Sequence, residues 1–415
     1  GTGMDRHGTG MGQAWGQAWT GDAGNTTAHS CDRMNRAARG LAFNARHRYD
    51  TLVHLLLFVY VFVRFLHEGG FTMAIPRSEI VDLDLTRLYH CISRCCRHAH
   101  LMGEGYEHRK GWVEERLEFL TEVFAVGIAG YALLDSHIHT VVQLEGPEMA
   151  NKWSSAEVAR RWAKLYPPRN KKRQPLTDIE PWVKEKVKDK KWIEKTRERL
   201  ADLGWFMKCL KEPLARQANQ EDGVTGAFFE GRYKSIALLD TESILAVMAY
   251  VDLNIVAAGI AELPEDSEHT SIVKRLEDCC GKGQTPTLRE ALEQVSLGCL
   301  PSAAQSCSME SGSWLCPLDA RNQSVHGHPG ILDGFSLPQY LMLLDCTSRI
   351  DRPGKGQVAP SVPSILERLS INSDAWDATI RQLAKHERPL GVTLSFSRQR
   401  LRDAAARRSR HHVAN

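Results

Sequence analysis

Two hydrophobic rhythms alternate along the chain from about residue 73 onward. Residues 89–95 read as a strand, and after Gly103 and Gly105 the apolar positions Trp112, Leu117, Leu120 and Phe124 recur at helical spacing, which predicts an amphipathic helix over 109–126. Residues 128–134 are continuously apolar, Asp135 and Ser136 are turn formers, and 137–144 alternates with period two, so a strand-turn-strand hairpin is expected. Residues 205–218 predict another buried helix. Residues 226–239 predict a strand entered through Phe228, Phe229 and Tyr233, and Asp240 marks the start of the next helix. Strand, helix, strand, strand, helix, strand, helix is the order of an α+β fold, an antiparallel sheet with helices packed on it.

The flanks have a different texture. Residues 1–72 are Gly-rich and lack turn-bounded periodicity until the apolar run 52–66, so Met73 is expected to be the natural start and 1–72 an extension outside the core. The run spans about 15 residues where a membrane helix needs about 20, so no membrane association is expected. From 276 to 313 the composition shifts to Ser, Gly and Cys, which reads as a linker. A shorter helical unit over 337–383 and a basic tail with Arg407, Arg408 and Arg410 follow. The expected division is therefore 1–72, a core domain over 73–275 with a basic insertion at about 146–204, and a linker with a mostly helical C-terminal extension over 276–415.

With 415 residues, 42% of them hydrophobic, the chain is long enough for a sizeable core. Its net charge of +3 is too small to identify a partner, but the charge is unevenly spread: residues 159–199 hold fifteen Lys or Arg against six Asp or Glu, with Trp162, Tyr166, Trp182 and Trp192 among them. Such a segment either tracks a nucleic-acid backbone while its rings stack on bases, at about 1–3 kcal/mol per base, or is a solvated charged face. Lys184, Lys186, Lys188, Lys190 and Lys191 lie close enough to acids to keep both readings open. The eleven cysteines include the adjacent pairs Cys95–Cys96 and Cys279–Cys280 and no Cys-x-x-Cys spacing. That pattern disfavours a zinc ribbon and an extracellular disulfide framework, and free thiols in a reducing cytoplasm are expected.

His137 and His139 sit two apart in the second hairpin strand, so both imidazoles leave the same face and can converge on one divalent ion. The spacing alone is weak, since His98/His100 and His326/His328 share it and hydrogen-bonded strand histidines are common. The helix after Asp240 adds a second group. Ile244, Met248, Val251 and Ile255 form its apolar stripe, and Tyr250 and Asn254, one turn apart, share a flank beside it. A phenol and an amide are thereby offered to one small volume, although a half-buried helix tyrosine is the commoner explanation of such a position.

The segment 135–142 resembles the metal-binding strand of HUH transposases, and Tyr250-Val251-Asp252-Leu253-Asn254 resembles the nucleophile helix of REP-associated tyrosine transposases. The segment 226–234, with Phe229, Glu230, Gly231 and Arg232, and the opening Tyr89-His90-Cys91-Ile92-Ser93-Arg94 are similar to the same family. The likeness spans roughly 73–265. It implies an HUH-type, ferredoxin-like sheet and Mg²⁺ or Mn²⁺ held by His137, His139 and Asn254. It further implies Tyr250 as nucleophile forming a 5′-phosphotyrosine bond with single-stranded or hairpin DNA. Arg232 and Lys234, with Arg94 and Arg97, are the implied phosphate contacts, and a homodimer is left open. The chain departs from the family pattern at Ser136, Ile255 and Ala257 and by the basic insertion, so a hairpin-binding protein that no longer cuts is the alternative. A metal hydrolase using His137 and His139 is disfavoured, because no carboxylate is clearly placed as its base.

Overall fold

The computed structural model describes residues 81–296 and 302–349. The expectations for 1–72, the apolar run 52–66, the start at Met73, the helix beyond 349 and the basic tail lie outside the described residues.

Four strands, β1 (Leu88–Arg94), β2 (Val126–Leu134), β3 (His137–Leu144) and β4 (Lys234–Leu238), form an antiparallel sheet in the order β2-β3-β1-β4. Helix α1 (His108–Val123) joins β1 to β2. Between β3 and β4 run α2 (Gly146–Lys152), α3 (Ser155–Leu165), α4 (Glu180–Lys186), α5 (Lys190–Leu200) and α6 (Leu203–Glu221). After β4 come α7 (Thr241–Asp252), the short α8 (Asn254–Ala257), α9 (Ser271–Gly281), α10 (Thr285–Ser296), α11 (Ala303–Glu310) and α12 (Leu337–Ser348).

The turn between β2 and β3 is held from outside. Lys110 Nζ reaches Asp135 Oδ1 at 2.8 Å, and Met102 N–H donates to Asp135 O at 2.9 Å. Gly103 packs so closely there that a Cβ would lie 2.9 Å from Asp135 Cγ, so only glycine fits without displacement. Asp240 caps α7 by accepting from Ser243 N–H at 2.7 Å, while Ser243 Oγ accepts from Asp240 N–H at 3.2 Å.

Because side chains alternate across a strand, the sheet feeds two cores. Tyr89, Cys91, Tyr131, Leu133, Ile138 and Val142 pack with Leu117, Leu120, Phe206 and Leu210 of α1 and α6. Leu88, Ala132, Leu134, Val141 and Leu238 face the other way, against Val247, Val251 and Ile255 together with residues of α9 to α12. Covered on both faces, β2 is buried along its whole length, which is why its sequence is apolar without alternation.

Two expectations need correction, and one open choice narrows. The stretch 276–313 is mostly helix: Leu276, Cys279, Leu288, Leu292 and Met309 are spaced for a helix and enter the second core, so its Ser and Gly content misled. The strand expected over 226–239 is confined to Lys234–Leu238, because Gly226 and Gly231 take positive φ and only Phe229 bridges Cys95. Of the two readings left open for the basic insertion, the base-stacking one loses ground because its aromatic rings are largely engaged with one another and with Trp205. Trp162 contacts Tyr166, Trp192 and Trp205, Trp182 contacts Trp192, and Arg199 lies 4.6 Å over Trp205, which favours the solvated-face reading. Among the described residues no helix is long and apolar enough to cross a membrane. Cys95, Cys96, Cys279 and Cys280 are free thiols.

Asp252, 1% exposed, ties α7 to the C-terminal helices. It accepts from Ser271 Oγ at 2.6 Å, from Ile272 N–H at 2.9 Å and from the Tyr340 hydroxyl. Burial pushes its carboxyl above the usual range, while these donors and Arg275 pull it back. Asp252→Ala strands three buried donors and is expected to cost about 3–5 kcal/mol in urea unfolding. A loss below about 1 kcal/mol would contradict this role.

Candidate active site

The register of the sheet decides what surrounds the two strand histidines. His139 stands opposite Ile92 and His137 opposite Arg94, while Ile92 also pairs with Lys234 on β4. Directly paired residues share a face, so Arg94, Lys234, His137 and His139 all leave the sheet on the α7 side. His90, two residues before Ile92, joins them and is fully buried.

His139 is 2% exposed and sits at the middle of the group. Its ring stacks on that of His90 with centroids 5.1 Å apart, and its Nδ1 lies 2.9 Å from His90 Nε2. Its Nε2 lies 3.3 Å from Asn254 Nδ2, reached across 115 residues of sequence. The half-buried His137 has its ring centroid 4.8 Å from that of His139, and its Nδ1 is 3.0 Å from Ser136 Oγ. The Tyr250 ring meets His139 edge-on at 5.6 Å and His90 at 6.2 Å. The expected helix carrying both Tyr250 and Asn254 is broken: α7 ends at Asp252, Leu253 leaves helical geometry with ψ 3°, and Asn254 opens α8. Both side chains nevertheless reach His139.

The structure thus brings together His137, His139, Tyr250 and Asn254. Arg94 is half-buried, with its Nε buried and without a hydrogen-bond partner, and Lys234 is exposed. Arg232 and Arg97 are exposed on flanking loops. Glu230 N–H donates to Arg94 O at 2.8 Å, so the loop carrying Arg232 runs beside the end of β1. Arg97 lies in a short turn after that strand, with φ 55°. The other two His-x-His pairs are elsewhere: His98 faces Glu230 at 3.7 Å, and buried His328 is bound between Glu145 and Thr121 O.

His90 is the residue that sequence reasoning did not single out. Alternation puts it on one face with Ile92 and Arg94, but only the pairing register identifies that face with the face of His139. Burial pushes its imidazole down to about 3, so it is neutral at physiological pH. Its Nδ1 has no hydrogen-bond partner, a deficit worth about 1–3 kcal/mol.

Among the described residues no three His, Cys, Asp or Glu side chains converge as they would around a closed structural ion. The imidazoles of His137 and His139 and the amide of Asn254, which could turn its oxygen inward, are the side chains at this place that could hold a divalent ion.

No family model matches the chain, and no curated protein matches it. A solved structure described as a REP-associated tyrosine transposase bound to a REP hairpin is similar to it over 50% of this chain and 85% of that one, at 10% identity and a TM-score of 0.28.

The buried neutral state of His90 sets a pH dependence. Its folded value is depressed below the unfolded value of 6.5, so its contribution is whole above about pH 6.5 and is lost as pH falls toward about 3. On passing from pH 7 to pH 4, the native chain should lose about 2–3 kcal/mol more stability than His90→Gln, read from urea midpoints. Coincident pH profiles for the two proteins would be the contrary result.

Proposed function

We propose that this chain cuts and rejoins DNA strands through a covalent tyrosine intermediate, as a single-tyrosine HUH transposase-like enzyme. The observation that carries the reading is the convergence of a phenol and an amide, Tyr250 and Asn254, on the His137-x-His139 pair. The succession β-α-β-β-α-β, with β1 and β3 central, supports the ferredoxin-like form of the sheet.

His137, His139 and Asn254 are the residues that would hold Mg²⁺ or Mn²⁺, and such an ion supplies Lewis-acid polarisation of the scissile phosphate. Tyr250 is the nucleophile. Its oxygen forms a bond to the phosphorus that stays on the 5′ end of the downstream strand, the bond from phosphorus to the 3′ oxygen breaks, and that oxygen takes up a proton and leaves as a hydroxyl on the upstream strand. The phenolic proton passes to solvent. Attack by a 3′ hydroxyl reverses the step, and because one phosphoester replaces another, no outside energy is needed to rejoin the strand. Arg94 and Lys234, on the same sheet face, would fix the DNA phosphates, with Arg232 and Arg97 adding contacts from the loops. The four central side chains meet within one chain.

Single-stranded DNA carrying a hairpin, incubated with Mn²⁺, is expected to give a protein–DNA adduct that survives denaturant and disappears in Tyr250→Phe. Hairpin binding without an adduct would favour the non-cutting binder, a reading that the apolar Ile255 and Ala257 motivate. Cleavage that persists in Tyr250→Phe would point to hydrolysis instead. Arg94→Ala should weaken hairpin binding and reduce the slope of log K against log salt by about 1. An unchanged slope would remove Arg94 from the phosphate contacts.

A further inference from the structure

We infer that His90 is a positioning residue: it holds the His139 ring in the tautomer whose Nε2 lone pair faces Asn254 and is available to a divalent cation. This inference rests on the proposed cation site and adds to it a residue that orients a ligand from behind.

The proton order follows from the chain of contacts. An amide nitrogen donates, so with Asn254 Nδ2 3.3 Å from His139 Nε2, that ring nitrogen is the acceptor. A neutral imidazole with an accepting Nε2 carries its proton on Nδ1. His139 Nδ1–H then donates to His90 Nε2 across 2.9 Å, which requires His90 in turn to carry its proton on Nδ1. The relay Asn254 to His139 to His90 stops there, since His90 Nδ1 has no hydrogen-bond partner.

The unsatisfied terminus is informative. A fully buried His90 with an orphaned nitrogen is a poor choice for packing alone, because an apolar side chain of similar volume would fill the place without the deficit. What an apolar side chain lacks is an acceptor for His139 Nδ1–H. Without that acceptor, His139 gains by moving its proton to Nε2 and donating it to Oδ1 of the Asn254 amide in its other orientation, and the electron pair a cation needs is then blocked. The stacked ring geometry, with planes 21° apart, also limits rotation of His139 about its own axis. A partner that fixes the tautomer of a metal-binding histidine in this way is typically worth a factor of about 10–100 in affinity for the ion.

The test uses the full chain with ¹⁵N-labelled histidine, without metal or DNA. Long-range ¹H–¹⁵N correlation spectra report which nitrogen of His139 carries the proton, with the signal assigned by comparison with His139→Ala. The expected result is Nδ1–H in the native chain and in His90→Gln, whose Oε1 can accept in place of Nε2. In His90→Leu the proton should redistribute to Nε2. Mn²⁺ titration followed by electron paramagnetic resonance should then show a Kd raised about 10–100-fold in His90→Leu and largely restored in His90→Gln. Urea unfolding separates this from misfolding, because His90→Leu removes an orphaned polar atom and should be at least as stable as the native chain at pH 7. An Nε2–H His139 in the native chain, or equal Mn²⁺ affinity in the native and His90→Leu chains, overturns the inference. Absence of a DNA adduct would count against strand cleavage alone, since the tautomer is read without DNA.

Discussion

A buried imidazole has two nitrogens to satisfy, and how His139 does so organises the rest of this molecule. One nitrogen turns to His90 on the neighbouring strand and the other to Asn254 at the start of α8. The first contact requires β1 and β3 to pair in the observed register. The second requires α7 to lie across the sheet at a set height and to break at Leu253, so that the amide swings over the strand. A slip of one residue in the β1–β3 pairing would carry His90 to the opposite face and leave His139 without its partner. The centre is therefore a consequence of sheet register as much as of residue identity.

The remainder of the described fold holds those elements in place. The two-residue turn before His137 is pinned by Lys110 and by the close approach of Gly103. On the far side of α7, Asp252 draws in Ser271, Ile272 and Tyr340, so the C-terminal helices brace the helix that carries Tyr250. Arg275 extends the brace to the sheet itself, donating to Ala129 O at 2.8 Å and Cys316 O at 2.9 Å. Described residues beyond 276, Cys316 and Tyr340 among them, are thus part of the packing that supports the candidate site.

Much of this was legible in the sequence where periodicity and turn chemistry agree. The hairpin stood out because Asp135 and Ser136 separate an apolar run from an alternating one, and the start of α7 because Asp240 is a strong cap. The Tyr250–Asn254 pairing was readable as one helical turn, although the break at Leu253 was not: four-residue spacing looks the same whether or not the helix continues. His90 was invisible because strand register is a property of two segments and cannot be read from either alone. The C-terminal helices were obscured by their Ser, Gly and Cys content, although Leu276, Cys279, Leu288 and Leu292 kept helical spacing. The basic insertion could be read either way from its sequence, and packing decides: Trp162, Trp182 and Trp192 serve the local core and leave the exposed lysines as the charged surface.

Whether the proposed cation site is assembled from β3 and the start of α8 is read most directly from the anomalous diffraction signal of crystals soaked in Mn²⁺. The expected result is a bound ion ligated by His137, His139 and Asn254 of a single chain, with the Tyr250 hydroxyl facing it. An ion bound elsewhere, or the same residues in the crystal with the Tyr250 helix turned away from the histidines, would contradict it.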